Sequence, residues 1–138
     1  PMHYDVRMDL AQIAQLLTRL SAKSGAGASD EDLLARAQTL NSTYFKDEIE
    51  PQSVKWVENQ NSRWASCSAV SNSIRVSHRL QAVPDWVLDA VLVHELAHLR
   101  ESDHGPRFRE LTKRYPRSRD ADIFLEGFSR GIDYESPQ

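Results

Sequence analysis

Val91-Leu92-Val93-His94-Glu95-Leu96-Ala97-His98-Leu99 is the stretch on which the reading turns. Val87, Leu88, Val91, Leu92, Leu96 and Leu99 recur at three- and four-residue spacing, which predicts a helix running to about Glu101 with its apolar side against a core. Pro84 suits the first turn, and Gly105-Pro106 marks the stop. At about 100° per residue, His94 and His98 lie about 40° apart in azimuth and one turn apart along the axis, so both imidazoles can reach one ion. Glu95 sits beside that face, displaced from ligation yet within reach of a water held there, as a general base must be.

A lone histidine on an apolar helix is ordinarily a satisfied core residue. Here three of the chain's five histidines fall within eleven residues. His104 follows His98 by six positions, where the helix should end, and a chain turning back there returns a third imidazole to the ion. Glu126, in a later helical pattern, is the alternative third ligand. Neutral imidazoles suit one zinc ion per chain, and a catalytic site leaves a position open for water. A structural site closes its shell with four protein ligands, for which Asp103, Glu101 or the Asp120–Asp122 pair are available. The carboxylate of Glu95 is what hydrolysis requires and a structural site does not. The expectation is therefore attack of a metal-activated water on a peptide carbonyl, with Glu95 taking the proton and delivering it to the leaving amine.

Outward from this helix, Leu10, Ile13, Leu17 and Leu20 predict an amphipathic helix over about Asp9–Ala22, and Ser24-Gly25-Ala26-Gly27-Ala28 a flexible break. Ser29 with Asp32 three residues on resembles a capping box. It opens a helix to about Lys46 that buries Leu33, Leu34, Ala37, Leu40 and Tyr44. The period then changes to two. Val54 and Trp56, then Ile74 and Val76, alternate with polar residues, and turn-forming clusters lie between. Three strands are expected at Ser53–Glu58, Arg63–Ser68 and Ser73–His78, as a meander. Shorter helices follow around Phe108–Tyr115 and Asp120–Ser129, and the tail from Asp133 has no period and should be loose. All of this reads as one domain over residues 1–138: a helical part at 9–47, a sheet at 53–79, and the central helix with C-terminal helices at 84–130.

Composition narrows the class. The 138 residues are 40% hydrophobic and 27% charged, which is ordinary globular usage. Seventeen Lys and Arg stand against twenty Asp and Glu, for a net charge of -3, unlike a domain whose main task is gripping nucleic acid. Apolar runs fall far short of the roughly 20 residues that cross a bilayer. The first residues lack the basic-then-apolar pattern of a signal peptide. One cysteine, Cys67, excludes a disulfide framework and a Cys-rich zinc module. The expectation is a soluble, cytoplasmic protein whose partner is a peptide or protein substrate, with no membrane. The run Lys113–Arg119 is basic, and a nucleic-acid contact through it is the less favoured reading. The rival of another class is a non-catalytic, zinc-stabilised binding module that uses the N-terminal helices as its surface.

Other residues carry lesser expectations. Trp64 and Cys67 read as core and the serines around them as turn formers, with Arg63 or a serine as an aid to substrate binding. Ile74–His78 is the expected sheet edge for an extended peptide. Asp89 or Asp103 could orient a ligand imidazole, though solvated acid is the default for each. Tyr115, Arg109 and Arg107 follow the site, and nothing selects among them as an oxyanion donor.

The spacing His94-Glu95-x-x-His98-x(5)-His104 invites comparison with metzincins, but Glu101 stands where those have Gly, and neither methionine follows the helix. A fuller match takes in Arg63-Trp64-Ala65-Ser66-Cys67-Ser68, Ile74-Arg75-Val76, Leu80, the His94–Leu99 segment and Asp103-His104-Gly105-Pro106-Arg107-Phe108. Over about residues 54–115 the chain resembles the YgjP-like metallopeptidase family, related to SprT-type and WLM zinc peptidases. It departs at Ala65, where Gly is expected, and at Phe108, where Trp is common. The resemblance implies zinc on His94, His98 and His104, with Glu95 as base. It also implies an α+β, zincin-like fold: a small, mostly antiparallel three-stranded sheet on the active-site helix, with an N-terminal helical pair. SprT-type relatives include proteases acting on DNA-bound proteins, which supplies the second functional reading.

Overall fold

Ser29 opens the first helix of the computed structural model, which describes residues 29–60 and 63–135. The helix expected at Asp9–Ala22 and the break after it lie outside the described residues. In α1 (Asp30–Phe45) the Ser29 hydroxyl accepts the Asp32 N–H at 3.0 Å, the cap read from the sequence. Asp30, Glu31 and Asp32 in the first turn suit the positive end of the helix dipole. Leu33, Ala37, Leu40 and Phe45 form its buried stripe. Lys46 and Asp47, at φ 53° and 62°, turn the chain out of the helix, and both of their N–H groups donate to the Asn41 carbonyl. The buried Asn41 amide oxygen accepts the Ile49 N–H at 3.0 Å and so points the chain toward the sheet.

The sheet comprises β1 (Ser53–Val57), β2 (Ala65–Ser68) and β3 (Ser73–Ser77) in the order β1-β3-β2. β2 and β3 form an antiparallel hairpin with Ala65 opposite Val76 and Cys67 opposite Ile74. β1 runs parallel to β3, with Val54 beside Ile74 and Trp56 beside Val76. The expected meander, and a mostly antiparallel sheet, are therefore corrected to a mixed sheet with one parallel and one antiparallel pairing. The alternation of Val54, Trp56, Ile74 and Val76 dictates which face each side chain takes, not which strand lies alongside. In this register Val54, Ile74, Val76 and Ala65 bring one apolar face together against the core. Asp30 also accepts the Trp56 N–H at 2.9 Å, tying β1 to the start of α1.

His78, expected at a strand end, instead starts a 3-10 turn (His78–Ala82). Pro84 then stands just ahead of α2 (Asp85–Arg100), as its cap rather than in its first turn. This helix buries Val87, Leu88, Val91, Leu92, Val93, Leu96 and Ala97, apolar over most of its circumference because α1, β2 and the later helices surround it. It stops at Arg100, before Gly105-Pro106. Those two residues begin α3 (Pro106–Thr112) instead of ending α2, with Gly105 as cap and Pro106 at the first helical position. α4 (Ser118–Glu135) is longer than its pattern suggested, and the tail expected to be loose from Asp133 is helical to Glu135. Trp86 against Phe124 at 5.9 Å and Trp64 against Phe128 at 5.6 Å fasten α4 to the body. The α+β class holds. Among the described residues no helix is long and apolar enough to cross a membrane.

Candidate metal centre

His94 and His98 project from one face of α2, and the short loop after it returns His104 to them. The ligand atoms of the three imidazoles all lie within 4.8 Å of one another. His98 Nε2 and His104 Nε2 are 3.0 Å apart. Glu101 leaves the helix in an extended conformation, and its carbonyl lies 3.1 Å from His98 Nδ1. A carbonyl only accepts, so Nδ1 carries the proton and Nε2 presents its lone pair to the cluster. The loop is held at its far end as well. Asp103 accepts the Gly105 N–H at 3.0 Å, and Arg109 donates to the His104 carbonyl at 3.1 Å. A Cβ on Gly105 would meet that Asp103 oxygen at 3.0 Å, so a side chain there would disturb the turn carrying His104.

Phe108, buried in the first turns of α3, is the floor of the cluster. Its ring lies 4.3 Å from that of His98 in a stacked arrangement, and 5.0 and 4.8 Å from those of His94 and His104. Burial, then His98 and His104, push the His94 imidazole down to about 4, and burial also lowers His98. Both rings are neutral at neutral pH. Neutral nitrogens converging this closely repel unless a proton or cation lies between them, and this donor set suits a borderline ion.

Glu95, 7% exposed, borders the cluster from within the core. Burial raises its carboxyl, while a hydrogen bond from Cys67 and the charge of Arg63 act the other way. The Cys67 thiol is pushed up to about 12 by burial, and further by Glu95, so it stays protonated and donates to the carboxylate. Cys67 reached this place because β2 turns Ala65 and Cys67 to the same face. A cleft of about 480 Å³ separates β2 from the cluster, bordered by Arg63, Ser66, Cys67, Glu95 and the three histidines.

The model of the YgjP-like metallopeptidase domain matches residues 10–125. The chain belongs to the YgjP-like metallopeptidase family. Its fold is similar to that in the crystal structure of the metallopeptidase zymogen abylysin from Pyrococcus abyssi, with a TM-score of 0.54 and 22% identity over 69% of this chain and 90% of that one. No curated protein matches the chain. A metallopeptidase family implies a metal, and the three-histidine group is where the described residues could hold one.

The other candidates read from the sequence scatter. Asp89 is five positions before His94, about 140° round the helix. It faces α1, where Arg36 Nε donates to it at 2.5 Å, so it orients no ligand imidazole. Asp103 and the Glu101 carbonyl shape the loop that carries His104, and neither carboxylate joins the cluster. Glu126 pairs with Arg130 at 2.8 Å and Asp120 with Arg117 at 3.7 Å, away from the histidines. Tyr115 donates to the Trp86 carbonyl at 2.8 Å, and Arg107 pairs with Glu110 at 3.1 Å. Ile74–His78 is not a sheet edge: β3 is the middle strand, and β2 borders the cleft. In the basic run, Arg114 holds Glu110 and the Tyr44 carbonyl, and Arg117 stacks on Trp86 at 3.6 Å. Sequence reasoning missed Phe108 as the cluster's floor and Cys67 as a partner of Glu95. The helical pattern around Phe108 was a signal for the first, since it placed that ring just beyond His104.

Proposed function

We propose that this protein is a zinc-dependent peptidase of the cytoplasm, with His94, His98 and His104 as ligands of one zinc per chain and Glu95 as general base. The observation that carries the reading is the position of Glu95: buried, beside three converging imidazoles, and in no ion pair among the described residues. A carboxylate kept that way is a proton acceptor in waiting rather than half of a structural salt bridge. A zinc ion on the three histidines supplies Lewis acidity, which lowers the pKa of a water toward about 7 and polarises the scissile carbonyl.

The chain's own residues do the rest. The outer edge of β2 offers backbone groups to an extended peptide, which lies in the cleft with a carbonyl over the cluster. Glu95 takes the proton of the attacking water and hands it to the amine nitrogen as the peptide bond breaks. The Cys67 thiol donates to the Glu95 carboxylate and steadies it without pairing it to a cation. The Glu101 carbonyl holds His98 in the tautomer that donates its Nε2 lone pair. Glu95→Ala tests the reading: the variant should retain about one zinc per chain and lose cleavage of unfolded protein. Cleavage at the wild-type rate would remove Glu95 from this role.

A further inference from the structure

A second cavity opens on the other side of Glu95. Its volume is about 370 Å³, toward the lower end of the roughly 300–1,000 Å³ of small-ligand pockets, and large enough to admit a long side chain. His94 and Glu95 stand at its inner end, so whatever fills it lies next to the scissile bond. Trp64, Val91, Phe108 and Leu125 give it apolar walls. Asp122, on the exposed side of α4, marks the outer end. Lysine and arginine are absent from the lining, and the charged groups there are the two carboxylates. Among the described residues Asp122 forms no ion pair, although Arg130, Glu126, Asp120 and Arg117 on the same stretch are all paired.

We propose that this cavity is the specificity pocket of the peptidase and that it takes the side chain of a lysine or arginine, with Asp122 receiving the charged end. The inference rests on the peptidase reading and names its substrate class. A cavity with apolar walls, the Thr112 and Ser118 hydroxyls and an unpaired carboxylate in its lining matches the construction of those two side chains, an aliphatic stem with a cationic head. Partial desolvation at the cavity mouth raises the Asp122 carboxyl from its ordinary value, and no ion pair among the described residues offsets it. An arriving cation supplies the missing partner. The direction of the peptide follows from the sheet. A peptide that pairs antiparallel with β2, the slightly more stable mode, has its C-terminal part beside the start of that strand. Trp64 and Ala65 lie there, and both border the pocket. The basic residue is therefore the one that follows the cut.

The test uses fluorescein-labelled alanine hexapeptides carrying one Arg, Leu or Glu, bound to zinc-loaded Glu95→Gln protein and read by anisotropy. Cut sites of the wild-type protein in reduced, alkylated casein are mapped in parallel. The Arg peptide should bind at least tenfold tighter than the Leu peptide. Glu95→Gln with Asp122→Asn should erase that difference, and with Asp122→Arg should turn the preference to Glu. Cuts should fall before Lys and Arg. Equal binding of Arg and Leu, or selectivity that survives Asp122→Asn, overturns the pocket. Selective binding without any cleavage overturns the peptidase reading and leaves the pocket standing.

Discussion

Two carboxylates on one helix meet opposite fates. Asp89 and Glu95 lie six residues apart on α2, the first facing α1 and the second facing the histidine cluster. The Asp89 side chain keeps 21% of its surface and receives Arg36 Nε at 2.5 Å, with Asp85 3.7 Å from the same guanidinium. Glu95 is more deeply buried and is met by a thiol. A guanidinium occupies the carboxylate it pairs with. A thiol orients it and leaves it basic. Burial without a strong cation is costly to folding, and such an arrangement belongs at a place of chemistry.

The largest effect expected from breaking this contrast is on catalysis. Glu95→Gln should lower cleavage by about 10²- to 10⁴-fold, the usual worth of a general base, with zinc content unchanged. Next is stability on the other side of the helix. Arg36→Met leaves Asp89 unpaired and should cost about 1–2 kcal/mol in urea unfolding, discounted because the pair is partly exposed, while turnover per folded molecule stays at the wild-type value. A variant that lost activity in proportion would place Asp89 in the mechanism.

Cys67 carries a smaller effect. Cys67→Ala removes one hydrogen bond to Glu95 and should slow cleavage about fivefold, from a net worth of about 1 kcal/mol, whereas Cys67→Ser should restore it. Equal rates in all three proteins would make the thiol a packing residue only. A final prediction concerns pH in metal-free Glu95→Gln protein, where the opposing titration of Glu95 is gone. The folded chain holds His94 at about 4 against an ordinary 6.5, so between those values the unfolded chain binds more protons. Stability should be full above about pH 6.5 and fall as pH drops toward 4. An unchanged unfolding midpoint at pH 5 and pH 7 would contradict the burial of that ring.

The convergence of the three histidines was legible because helical geometry is local. His94 and His98 share a face by spacing alone, and Gly105-Pro106 announced a turn that returns His104. Helix α1 was legible for the same reason, through Ser29 and its apolar stripe. The parallel pairing of β1 with β3 was not, since Val54 and Ile74 alternate identically whichever strand adjoins them. Asp89 could have been placed by carrying the helical rotation five residues further, though its partner Arg36 is a tertiary fact. The contact between Cys67 and Glu95 depends on how β2 meets α2, which no spacing within either segment encodes.

Three histidines should hold the metal, and Glu95 should not. Zinc per chain by elemental mass spectrometry, on untagged protein offered zinc at neutral pH, tests it most directly. About one zinc is expected in the wild type and in Glu95→Gln, with its loss or marked depletion in His98→Ala and His104→Ala. No zinc in the wild type, or zinc lost in Glu95→Gln while His104→Ala keeps it, would contradict it.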